Sequence, residues 1–146
     1  MLHYDQDKML KLVSQMREAL GNLQRLKENK RESFLKDPDK IGSAKYYFIV
    51  AIEAAIDISN HIISRNAFRA PEDYADAFAV LEEHGAFEKP FGDELKEMAK
   101  FRNRLVHIYW EIDEEQIFNI LQTRLRTFKA FLNNIAKFLN WPSLIA

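Results

Sequence analysis

The chain has 146 residues, of which 47% are hydrophobic and 12% aromatic, enough for one domain with a sizeable core and too much for a disordered chain. Its 21 basic and 22 acidic side chains leave a net charge of −1, so any nucleic-acid site must be local. The absence of cysteine removes disulfides, thiolate metal sites and cysteine nucleophiles, and leaves the redox compartment open.

No secretory leader is legible in MLHYDQDKML, and the apolar run from Tyr46 to Ile52 is far shorter than a membrane span. A soluble, cytoplasmic protein with no membrane partner is the expectation. Four Gly and four Pro fall between long segments of helical periodicity, so the chain reads as an all-α, up-and-down bundle of about five helices forming a single domain over 1–146.

Met9, Leu12, Val13, Met16, Leu20, Leu23 and Leu26 recur at steps of three or four, which predicts a first helix over about 5–33, capped by Asp5 or Asp7. After Asp37-Pro38-Asp39, a second helix near 38–65 carries YYFIVAIEAAIDI, apolar on more than one side, and so is either central or part of a subunit interface. Pro71, with Glu72 and Asp73, suits the first turn of a third helix that ends near His84, where Gly85 supplies a left-handed cap. A fourth helix starts at about Pro90 to Asp93 and reaches Trp110. A fifth runs from Asp113, with Gln116 completing a capping-box pattern, to about Asn140. Charge is uneven, with six acids and no Lys or Arg over 71–88, and four bases and no acid over 116–146. Solvated helix faces explain both stretches; a protein partner on the acidic side and RNA on the basic side is the sharper reading.

The four glycines stand apart, so there is no phosphate-cradling loop and no nucleophile elbow. None of His3, His61, His84 and His107 belongs to a metal-ligand pair, and neither a metal nor any other cofactor is expected. Chemistry concentrates in Phe101-Arg102-Asn103-Arg104-Leu105-Val106-His107-Ile108-Tyr109-Trp110. Histidine exchanges protons near neutrality and Arg presents a planar fork to phosphate, a combination sufficient for RNA cleavage in which the ribose 2′-OH is the nucleophile.

On a continuous helix at about 100° per residue, Arg102 and Tyr109 lie about 20° apart, whereas Arg102 and His107 lie about 140° apart. Arg102 and His107 therefore converge through the long Arg side chain, through a distorted helix, or across the two-fold axis of a homodimer. On the second helix Glu53, Asp57 and His61 form one polar stripe, either a solvent face or a set in which Asp57 orients an Arg or His of the cleft.

Arg102-Asn103 followed by His107 and Tyr109 matches R-x4-H-x-Y, with the polar residue after Arg that is usual in the HEPN superfamily of helical RNase domains. AIEAAIDISNHIIS at 51–64, APEDYADAFAVLEEHGAF at 70–87 and EMAKFRNRLVHIYWEID at 97–113 resemble HepT-like toxins, and the resemblance covers most of 38–139. It implies a two-fold dimer acting as the RNase toxin of a toxin-antitoxin pair, with an MntA-type nucleotidyltransferase as antitoxin. By position it makes Arg102 and His107 the catalytic pair, Asn103 a supporting polar group, and Tyr109 the residue that the antitoxin AMPylates. Asp57 and His61 lie outside the motif, and their supporting roles are inferred from the stripe alone. The alternative is a non-catalytic helical partner of a small nucleotidyltransferase, because similar non-toxic HEPN proteins exist.

Overall fold

The computed structural model describes all residues from Met1 to Ala146. There are seven α-helices: α1 (Gln6–Lys27), α2 (Arg31–Leu35), α3 (Pro38–Arg65), α4 (Tyr74–Glu83), α5 (Lys89–His107), α6 (Glu114–Thr123) and α7 (Leu125–Phe138). Short 3₁₀ turns follow at Tyr109–Glu111 and Pro142–Ile145. The all-α expectation holds, but two of the five predicted helices are each divided.

The first divides after Lys27. Asn29 donates from its amide to the Leu26 carbonyl at 3.0 Å and accepts from Lys40 Nζ at 2.7 Å, so its side chain ties the break to the start of α3. The last divides at Arg124, whose backbone leaves the helical region (φ −115, ψ 0). Just before it, the Thr123 hydroxyl donates to the Asn119 carbonyl four residues back, a contact that bends helices.

α3 lies at the centre and touches each of the six other helices. Its predicted apolar excess is consumed inside the chain: Ile41, Phe48, Ile52, Ile56, Ile58, Ile62 and Ile63 are all buried. It is long and apolar enough to cross a bilayer, yet most of that stretch is buried against its neighbours. The core closes around fully buried Phe34, Phe48, Phe78, Phe101 and Phe131, with edge-on pairs Phe48–Phe101 at 5.5 Å and Phe78–Phe131 at 6.0 Å.

Helix ends follow the chemistry of their caps. Asp5, Asp37, Asp73 and Asp113 each accept a backbone N–H of the following first turn. α4 begins at Tyr74 rather than at Pro71, because Asp73 accepts from the Asp76 N–H at 2.8 Å and so sets the start. Gly85 takes φ +88 after α4, where an L side chain would be strained. Within α5 a Cβ at Gly92 would collide with the Glu82 carboxylate, which receives Lys96 at 3.3 Å between α4 and α5.

The acidic stretch is answered locally. The Arg69 fork reaches Asp76 and Glu83, each at 2.8 Å, and the guanidinium holds the Asp76 carboxyl down at about 2.

Candidate functional site

The segment 101–110 does not form one helix. α5 ends at His107; Ile108 leaves the helical region (φ −134, ψ 41) and the chain enters the 3₁₀ turn Tyr109–Glu111. The bulky run Ile108-Tyr109-Trp110 has weak helix preference and little buried surface to hold it in register. Tyr109 therefore cannot share the Arg102 face through helical spacing, as a continuous helix to Trp110 required.

Arg102 points inward and its side chain is only 10% exposed. One Nη donates to Glu53 of α3 at 2.9 Å and the other donates to the neighbouring Asn103 Oδ1 at 3.2 Å. The guanidinium carbon lies 4.8 Å from the centre of the Tyr74 ring, where cation–π attraction adds to the ion pair. Nε is buried without a partner. The cation is thus positioned by three elements, α3, α4 and its own helix, and keeps donor capacity to spare.

Glu53 makes the orienting contact expected from Asp57. Position decides this: Glu53 faces α5, and Asp57, one turn on, stays exposed. Partial desolvation and the Glu53 charge raise the Asp57 carboxyl above its usual range, against the pull of Lys8 and Arg102. Tyr74 was not legible as a site residue, because nothing in the sequence says which tyrosine a fold brings over an arginine.

His61 is not part of a solvent stripe. It is buried, and its Nε2 accepts the Asp5 backbone N–H at 2.9 Å, tying the N-terminal segment to α3. Burial, with Arg65 and Lys8 nearby, lowers its pKa and keeps the ring neutral as an acceptor, while Asp5 pulls the other way.

His107 stands exposed at the C-terminal end of α5. Its sequence neighbours Val106, Tyr109 and Trp110 are exposed, the last two at 60% and 66%, and Tyr74, over Arg102, is 43% exposed. Tyr109 packs edge-on against Trp110 at 5.3 Å, and its phenol is open to a modifying partner. No group of three or more His, Asp or Glu side chains converges in the chain. The site is an anchored guanidinium and an exposed imidazole on one helix end, bordered by tyrosines.

The sequence pattern of the "Ribonuclease HepT-like" family matches residues 16–135. The chain is 34% identical over 83 residues to the mRNA nuclease HepT of Shewanella oneidensis, a match spanning 57% of this chain and 62% of that protein. It is 29% identical over 89 residues to the tRNA nuclease HepT of Aphanizomenon flos-aquae, spanning 60% and 59% respectively. The alignments thus cover about three fifths of these relatives. Among solved structures, the tri-AMPylated HEPN toxin of S. oneidensis in complex with an MNT antitoxin superimposes with a TM-score of 0.82 at 25% identity, covering 88% of this chain and 96% of that one. YutE of Bacillus subtilis, a cytosolic protein of unknown function, superimposes at 0.80 over 100% and 98%; at 20% identity this likeness concerns the fold alone.

The fold is that of the helical HEPN toxins. The chain belongs to the ribonuclease HepT-like family.

Proposed function

We propose that this protein is a metal-independent endoribonuclease, the toxin of a HepT/MntA-type pair, that acts in the cytoplasm as a homodimer and is silenced by AMPylation of Tyr109. The observation that carries the reading is the environment of Arg102. A guanidinium anchored by Glu53 and Tyr74, with unspent donors, is preorganised for a phosphate, and His107 stands exposed on the same helix end.

In the proposed reaction the ribose 2′-oxygen forms a bond to the adjacent phosphorus while the bond to the 5′-oxygen breaks. A neutral His107 takes the 2′-OH proton, a protonated His107 gives a proton to the leaving 5′-oxygen, and Arg102 and its counterpart stabilise the charge on the phosphoryl oxygens. Two histidines in opposite protonation states require two copies of the motif. The inward set of Arg102 and the outward set of His107 support the same conclusion, since one copy leaves them on different sides of α5. The exposed apolar rim of Val106, Tyr109 and Trp110, rather than α3, is the surface on which a second copy would close. Asn103 supports Arg102 through its carbonyl, and Asp57 acts only through its charge.

Incubation of the purified protein with RNA, with and without EDTA, tests the reading. Products ending in a 2′,3′-cyclic phosphate or its hydrolysis product are expected under both conditions, and DNA should survive. Loss of cleavage in EDTA would overturn it. The same exposed aromatic rim favours the second reading, a non-catalytic partner of a nucleotidyltransferase; binding of that partner with no RNA cleavage by the free protein would decide for it.

A further inference from the structure

A groove of about 540 Å³ runs between α5 and α6 and is lined by neither Arg102 nor His107. Arg104 and Gln116 line it at the end nearest His107; Glu94 and Arg124 meet at 3.3 Å toward the other. Arg104 precedes His107 by three residues on one helix, so the two side chains are surface neighbours, about one turn apart.

The groove is lined by three carboxylates, Asp93, Glu94 and Glu97, and by two guanidiniums, Arg104 and Arg124. Each carboxylate has a cation of its own: Asp93 takes Lys89 at 3.1 Å, Glu94 takes Arg124, and Glu97 takes Lys100 at 3.5 Å. Glu94 also accepts from the Thr127 hydroxyl at 2.6 Å, and it lies nearly three helical turns from Arg104. Lys89 and Lys100 stand outside the lining, and Arg104 is the one charged lining residue that makes no ion pair. Its guanidinium carbon lies 5.7 Å from the Phe101 ring centre, and its Nε is buried with no hydrogen-bond partner. The buried Nε is out of reach of a ligand, but no side chain or carbonyl of the chain takes the Arg104 Nη groups, and these are the donors open to an incoming anion.

We infer that Arg104 is a substrate-positioning residue that binds the RNA phosphate next to the one being cut, and that the α5–α6 groove receives the nucleotide attached to it. This rests on the ribonuclease reading. The spacing suits it: successive phosphates of a single strand lie on the order of one helical turn apart, the distance between neighbouring residues at i and i+3. Gln116 is the polar group placed to meet the base or ribose of that nucleotide. The paired acids beyond it disfavour a further phosphate, so the groove takes one nucleotide and not a long backbone tract.

The probe is a mixed-sequence 2′-O-methyl RNA of about eight nucleotides, which cannot be cut by 2′-OH attack, alongside a cleavable RNA of the same sequence. Arg104→Gln should weaken binding of the probe about five- to tenfold, and should lower the slope of log affinity against log salt by about 0.7, the loss of one phosphate contact on a single strand. KM for the cleavable RNA should rise by a similar factor while kcat stays within about twofold. Arg104→Lys should restore the salt slope but only part of the affinity, because it keeps the charge without the fork. Lys11→Gln, exposed on α1, is the control for loss of one positive charge and should change neither quantity.

If the wild type cleaves RNA while Arg104→Gln leaves slope and KM unchanged, or lowers kcat alone, the assignment to Arg104 is overturned and the ribonuclease reading stands. If the wild type binds the probe in an Arg104-dependent way but cleaves nothing, the assignment stands as RNA binding and the ribonuclease reading fails. A wild type that neither binds nor cleaves overturns both.

Discussion

Glu53 of α3 holds Arg102 of α5 at 2.9 Å, and the two ends of this pair differ in exposure: the Arg side chain is 10% exposed, the Glu 40%. A nearly buried cation therefore depends on a carboxylate that still reaches water. Removing the carboxylate leaves an uncompensated charge inside the fold, whereas removing the cation leaves one that solvent can serve.

Glu53→Gln should consequently cost both stability and activity. A fully buried pair broken on one side loses several kcal/mol; with Glu53 partly solvated, about 1–2 kcal/mol is expected. RNA cleavage should fall roughly tenfold or more as Arg102 loses its fixed orientation. Asp57→Asn, which breaks no direct contact to Arg102, should change cleavage by less than about threefold. Denaturant unfolding and cleavage rates on the two variants check this; equal effects would mean that Glu53 does not orient the guanidinium.

His107→Ala and Arg102→Ala should each slow cleavage by roughly two to four orders of magnitude. Their stabilities should differ. His107 is exposed, so its loss leaves the melting temperature nearly unchanged, whereas Arg102→Ala removes the Tyr74 and Glu53 contacts together. Thermal melts beside single-turnover kinetics separate the two.

Cleavage should also depend on protein concentration. If two copies build the cleft, specific activity falls on dilution in step with dissociation seen by ultracentrifugation. A species of single chain mass that retains full activity would exclude a shared cleft.

Tyr109 should accept AMP from ATP through its phenolic oxygen when incubated with a nucleotidyltransferase of the MntA type, with pyrophosphate leaving. The added phosphodiester brings negative charge and bulk to the rim of the site, and cleavage should stop. Tyr109→Phe should cleave RNA and resist this silencing. Intact-mass and peptide spectra locate the adduct; modification at Tyr74 or Tyr46 instead would refute the assignment.

Stability should fall as the solution is acidified from pH 7 toward pH 5, and His61 contributes to the slope. Its folded pKa lies below the ordinary 6.5, so the unfolded chain binds the proton more readily. Its contribution is complete above about pH 6.5 and is lost as pH falls from there toward the folded pKa. Asp57 works in the opposite sense: its raised pKa means that protonation favours the fold, in a window just above the ordinary carboxylate range. His61→Gln, which can still accept from the Asp5 N–H, should flatten the decline between pH 7 and pH 5. Denaturant titrations at each pH report the slope, and an unchanged slope in the variant would assign it elsewhere.

Much of this protein is decided by local pattern. The apolar residues at steps of three and four, the aspartates before each helix and Gly85 after α4 determine an all-helical chain and most of its helix boundaries, because periodicity and capping act over a few residues. The cluster at 101–110 is equally legible, since its side-chain chemistry is dense and unlike the rest of the chain. Tertiary structure decided the remainder. The breaks after Lys27 and at Arg124 keep the apolar rhythm and rest on single side-chain contacts, from Asn29 and Thr123. The end of α5 at His107, which takes Tyr109 out of helical register with Arg102, follows from the lack of packing for Ile108 to Trp110. The choice of Glu53 over Asp57, the Tyr74 ring over Arg102 and the buried role of His61 depend on which helices meet and at what rotation. That is a long-range property, set by how seven helices share one core around α3, and no window of local sequence contains it.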